Sequence, residues 1–161
     1  LWPFNLFDEE IANTELFGAE PKLVMNNQNV YYRSSKPLIL KAPSRILWYV
    51  SYNKNYPGSK GIRASSLVEE IAIAGPKELF RRYQHLGIYE WQNVYEIAQH
   101  DINKEIMAFR FTNTELFDKT INYCDLKNII FNSEGKNISL QAPYEIKQES
   151  FYTLYKMGIE K

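Results

Sequence analysis

Apolar positions change their spacing several times along the chain, and each change marks an expected element. Residues 5–17 place Leu6, Phe7, Ile11 and Leu16 near helical spacing, with Asp8, Glu9 and Glu10 where a helix start favours negative charge. Two short apolar runs, 22–25 and 30–33, flank Asn26-Asn27-Gln28-Asn29 and predict a hairpin. Residues 45–52 are apolar on both faces through Leu47, Trp48, Tyr49 and Val50, which predicts a central strand. A loop with Pro57-Gly58 follows, and residues 61–74 alternate Ile62, Ala64, Ser66 and Val68 against Arg63, Ser65 and Leu67, a second long strand. Gly75-Pro76 opens a helix whose Leu79, Phe80, Tyr83 and Leu86 form one buried stripe, ended by Gly87. A short helix is expected within 88–98, a third strand at 105–112 and a fourth at 119–123. A helix over 124–131, a turn at 132–136 and a terminal helix over 144–157 complete the pattern. The fold class is α+β, and no linker interrupts it.

Composition fits that reading. The chain has 161 residues, 45% of them hydrophobic, enough for one core of ordinary size. Its longest apolar runs fall far short of the roughly 20 residues that span a bilayer, so no membrane partner is expected. Cys124 is the only cysteine, and no signal-peptide pattern opens the chain. The expectation is a cytoplasmic protein, in which the Asn137-Ile138-Ser139 sequon is chance. The first residue is Leu1 and not Met, which points to a piece of a larger multidomain protein. Asn-Thr-Glu-Leu-Phe occurs at 13–17 and again at 113–117, but the flanking sequences differ and no repeat follows.

Charge alters the picture more. The net charge is zero, yet residues 31–66 carry Arg33, Lys36, Lys41, Arg45, Lys54, Lys60 and Arg63 and no acid. Tyr31, Tyr32, Trp48, Tyr49, Tyr52 and Tyr56 are interleaved with them. Cations among aromatic rings suit nucleic acid, because phosphate needs charge and bases need flat faces. The same pattern also arises when the cations lie on the solvent side of strands whose rings face a core.

Catalytic signatures are sparse. His85, His100 and Cys124 cannot make a Cys/His zinc site, so no metal is expected. Glycine loops of the nucleotide-binding kinds and a nucleophile elbow are missing, so no cofactor and no catalytic residue is assigned. Glu69 and Glu70 are adjacent and, on a strand, point to opposite faces, which argues against a carboxylate pair.

The order of blocks carries a resemblance. Ser44-Arg45-Ile46-Leu47-Trp48-Tyr49-Val50-Ser51, a loop, 61–70, a helix, Ile106-Met107-Ala108-Phe109-Arg110-Phe111, Leu140-Gln141-Ala142-Pro143 and a last helix resemble the PUA-like superfamily. Within it the likeness is to ASCH-type and EVE-type modules, including those C-terminal to acetyltransferase or PIN modules, and it covers residues 36–158. The resemblance implies a strongly bent mixed β-barrel with helices inserted between strands, a C-terminal helix and a cleft for nucleic acid. On this basis residues 36–161 form the barrel domain, and residues 1–35 form an acidic helix and hairpin packed on it. The ASCH motif, glycine-x-lysine-x-x-glutamate/arginine, is not clearly matched by Gly58-Ser59-Lys60-Gly61-Ile62-Arg63, so hydrolase activity is not carried over.

The expected function is a binding module, for RNA or DNA, that reads a modified or flipped-out base. Trp48, Tyr52 and Trp91 supply rings, Ser51 and Ser65 hydroxyls, and Arg63 a cation. Arg45, Lys54, Lys60, Arg81 and Arg82 meet phosphate. Two alternatives are an amidohydrolase of modified nucleosides using Lys60, Ser65 or Ser66, and Glu69, and a module that docks a partner catalytic domain.

Overall fold

A computed structural model describes residues 28–52, 54, 59–86 and 89–160. The helix expected over 5–17 and the first arm of the expected hairpin lie outside the described residues. Those described form four strands, β1 (Gln28–Ser34), β2 (Ser44–Val50), β3 (Gly61–Ala74) and β4 (Ile106–Asn122). Four α-helices accompany them: α1 (Pro76–Tyr83), α2 (Trp91–Ile97), α3 (Tyr123–Glu134) and α4 (Gln148–Ile159). The class is α+β. The sheet order is β1-β4-β3-β2, so among the described residues β1 and β2 are edges and the sheet is not closed into a barrel.

Two compact units make up the fold, each from two stretches of chain. The first joins the described part of Leu1–Lys36 to Glu69–Thr112, and the second joins Pro37–Val68 to the described part of Asn113–Lys161. Strands β3 and β4 run through both.

In the first unit β1 pairs antiparallel with the start of β4, from Gln28↔Thr112 to Ser34↔Ile106. Helix α1 begins at Pro76, whose missing N–H costs nothing at a helix start, and buries Leu79 and Tyr83 one turn apart. The helix ends at Tyr83 and tightens into a 3₁₀ turn over Gln84–Leu86, before the Gly87 expected to stop it. Helix α2 starts with a reciprocal capping box between Glu90 and Asn93. Both helices pack on Val30, Tyr32, Ile106 and Ala108.

In the second unit β2 pairs antiparallel with β3 from Ser44↔Val68 to Val50↔Gly61. Between Trp48↔Ala64 and Tyr49↔Ile62 the register slips, leaving Arg63 as the extra residue of a bulge. The expectation that β2 is central is wrong. Among the described residues it is an edge strand, apolar on both faces because Leu47 and Tyr49 join the core of this unit while Trp48 is buried through other contacts. Strand β4 is one strand of 17 residues where two were expected. Asn113, at φ 50°, takes up a left-handed conformation within it, one that Asn adopts more readily than most residues. Helix α3 is capped by Asn122, whose side chain accepts from the Asp125 N–H at 2.9 Å, and ends on Gly135 at φ 67°. Helix α4 starts at Gln148, four residues later than expected. Its first turn is supplied from α3: a Glu134 carboxylate oxygen accepts from the Lys147 N–H at 2.8 Å and from Ser150 Oγ at 2.9 Å.

Candidate nucleic-acid interface

In the second unit the end of β2 and the start of β3 are clamped together. The Lys60 N–H donates to the Val50 carbonyl at 2.8 Å, and the Lys60 carbonyl accepts from the Tyr123 N–H at 3.1 Å. Gly61 lies against β4 so closely that a Cβ would meet Thr120 Cγ2 at 2.6 Å and the Ile121 carbonyl oxygen at 2.7 Å. That clamp holds Lys60 at φ 62°, a left-handed conformation that costs a non-glycine residue about 1–2 kcal/mol. Its ammonium sits 5.8 Å from the centre of the Tyr123 ring, whose edge meets Tyr49. Burial, then the neighbouring Tyr123, raises the Tyr49 phenol above its ordinary value. The clamp therefore holds the end of β2, from which Ser51 and Tyr52 follow, against Lys60 at the start of β3. Ser51, Tyr52, Lys54 and Lys60 are all exposed, Tyr52 by 74%.

Other expected ligand residues are interior. Trp48 is buried, and its indole N–H donates to Ser66 Oγ at 2.7 Å. Ser66 Oγ in turn shares a hydrogen bond with Thr114 Oγ1 at 2.7 Å. This chain joins β2, β3 and β4 and engages Ser66 structurally. Ser65 is fully buried with its hydroxyl unpartnered. Arg63 is half-buried at the bulge, and Arg45 is exposed on β2.

Arg81, Arg82 and Trp91 belong to the first unit. Arg81 is exposed, whereas Arg82 is ion-paired with Glu70 and lies over the Tyr83 ring. Trp91 stacks on Tyr95, with ring centres 5.5 Å apart, and meets Phe80 edge-on. The expectation that Glu69 and Glu70 diverge needs correction. Both reach one guanidinium, Glu69 Oε2 at 3.1 Å from Arg110 Nη1 and Glu70 Oε2 at 3.4 Å from Arg110 Nε. Long, half-exposed side chains bridge what the pleat separates. Thr112 Oγ1 donates to the other Glu69 oxygen at 3.0 Å, so that carboxylate is engaged at both atoms.

No protein-family model matches the chain, and no curated protein matches it. Solved structures do. An ASCH protein from Zymomonas mobilis is similar at 19% identity, over 99% of this chain and 94% of its own, with a TM-score of 0.64. A serine-to-alanine variant of that protein matches at 20% identity over 98% and 92%, with a TM-score of 0.65. A tyrosine-to-phenylalanine variant matches at 18% identity over 98% and 94%, with a TM-score of 0.66. The chain has the fold of this ASCH protein.

Gly58, Lys60 and Arg63 stand at the glycine, lysine and arginine positions of the ASCH motif, a match of sequence spacing alone. Sequence reasoning missed Tyr123, which no charge or motif marks and which only the fold brings under Lys60. Among the described residues, no three His, Cys, Asp or Glu side chains are grouped to hold a metal ion, and no helix is long and apolar enough to cross a membrane.

Proposed function

We propose that this chain is a nucleic-acid-binding module of ASCH-type fold that holds a base beside the clamp between the end of β2 and the start of β3. The observation that carries the reading is Tyr52, an exposed ring two residues after Val50, whose carbonyl holds the N–H of the exposed Lys60. An exposed ring is a face on which a base can stack while phosphate meets nearby lysines. Ser51 offers a hydroxyl to the base edge, Lys54 and Lys60 meet phosphate, and Arg63 and Arg45 extend the positive surface. Trp48 is buried and tied to Ser66, so the stacking ring is Tyr52. The base is one already free of a duplex, modified or flipped out, because a single ring stacks only on an accessible face.

The test is titration of labelled single-stranded RNA and DNA, with and without base modification, at several salt concentrations. Tyr52→Ala is expected to lower affinity by about 5- to 150-fold, the equivalent of about 1–3 kcal/mol of stacking, with an unchanged melting temperature. Lys54→Ala and Lys60→Ala are expected to weaken all sequences alike and to reduce the salt slope by about one each. Binding by the parent protein that ignores salt would overturn the reading.

A further inference from the structure

We infer that Tyr123 is a positioning residue for Lys60, its ring holding the lysine ammonium in place to receive a phosphate. This rests on the nucleic-acid reading above. Tyr123 is the first residue of α3 and holds Lys60 at two points. Its N–H donates to the Lys60 carbonyl at 3.1 Å, and the Lys60 ammonium lies over its ring, 5.8 Å from the centre. The contacts fix the backbone and the far end of one side chain, with the flexible four-carbon stem between them. The ring is itself held. Its hydroxyl donates to the Ile138 carbonyl at 3.2 Å, and Tyr49 meets it edge-on with ring centres 6.2 Å apart. Ile138 belongs to the apolar cluster of the second unit, and Tyr49 packs against that cluster. With the hydroxyl spent on a backbone carbonyl, what Tyr123 offers Lys60 is the negative face of its ring.

That contact orders the charge and leaves it available. An ammonium has three donors, and a ring face attracts it without neutralising it. Among the described residues no carboxylate pairs with Lys60. Asp125, two residues beyond Tyr123, is engaged by the Asn122 amide at 2.7 Å. An ion pair would occupy the donors that a phosphate needs. A lysine already held over a ring also gives up less rotamer freedom when it binds. Lys54, exposed and without such a ring among the described residues, meets phosphate by charge alone.

The experiment is a double-mutant cycle, read by anisotropy titration of the full chain with ten-nucleotide oligo(U) and oligo(dT) at several salt concentrations. Tyr123→Leu is expected to lower affinity about 2- to 5-fold, the range of an exposed cation–π contact. The salt slope is expected to stay at the parent value, because Lys60 keeps its charge, whereas Lys60→Met lowers it by about one. In the Lys60→Met background Tyr123→Leu is expected to cost nothing further, and in the Lys54→Ala background as much as in the parent. Tyr123→Phe keeps the ring and is expected to retain affinity. If Tyr123→Leu does not fold, Tyr123→pentafluorophenylalanine decides, since it keeps the shape of the ring and reverses its field. Equal losses in the parent and Lys60→Met backgrounds, or no loss in either, overturn the positioning role and leave the nucleic-acid reading intact. Lys60→Met that binds as the parent does removes Lys60 from the phosphate contact and its positioning with it, while Tyr52→Ala still tests the base site. A parent protein that binds neither decamer at low salt overturns the nucleic-acid reading and this role together.

Discussion

At the scale of single residues, Lys60 combines a conformational cost with an exposed charge. Its left-handed backbone is imposed by two hydrogen bonds and by the close approach of Gly61 to β4. Glycine adopts that conformation freely, so Lys60→Gly separates the two roles. Stability is expected to hold or to rise by about 1 kcal/mol, measured by denaturant unfolding, because strain is relieved. Affinity for single-stranded nucleic acid is expected to fall and its salt slope to drop by about one. A large loss of stability would show that packing of the lysine stem on Tyr123, and not phosphate, explains the residue. The cations at 54 and 60 and the ring at 52 were legible in the sequence as members of an acid-free run interleaved with aromatics, and the structure adds that they are exposed. Burial of Trp48 and Ser65 was not. Alternation along a strand says which residues share a face, and says nothing of which face is covered.

At the scale of elements, helix starts were read well where local chemistry fixes them, as at Gly75-Pro76. They were misread where the cap comes from afar, as at α4, whose first turn depends on Glu134. Strand β4 was split because Asn113, Glu115 and Asp118 interrupt its apolar alternation, although the strand runs on through them past the end of its pairing with β1 at Thr112. The first unit's elements also converge on a phenol cluster that no local pattern announces. Burial raises the pKa of Tyr31, Tyr32, Tyr83 and Tyr89, with Glu70 adding to the rise at Tyr83 and Tyr31 adding to it at Tyr89. Above the ordinary value of 10.0 the unfolded chain loses these protons while the folded chain keeps them, so stability falls as pH rises. Each such phenol contributes up to about 1.4 kcal/mol per pH unit to that fall. Ultraviolet titration of phenolate is expected to show a fraction that ionises only with unfolding, and Tyr89→Phe to shrink it. Smooth titration of every tyrosine near its ordinary value would refute the assignment.

At the scale of the whole molecule, each unit has its own apolar cluster, around Leu79, Val94 and Ile106 in one and around Ile130, Ile138 and Leu154 in the other. Neither unit is a continuous piece of chain. Both depend on β3 and β4, which cross from one to the other at Val68-Glu69 and Thr112-Asn113. Hydrogen bonds bind these strands on both sides of the crossing, Ser66 to Thr114 in one unit and Thr112 to Glu69 in the other. Losing one half of a strand pair exposes backbone groups in the other half, and buried groups without partners are costly. The expected consequence is a single cooperative unfolding transition. Ile106→Ala and Leu154→Ala, in different clusters, should each cost about 2–5 kcal/mol and move that one transition. Calorimetry checks this directly: a calorimetric enthalpy equal to the van't Hoff enthalpy, with both variants shifting the same peak, is the outcome the shared strands require. Two resolved peaks, each moved by only one of the variants, would mean that the strands come apart at the crossing and that each unit is stabilised by its own helices.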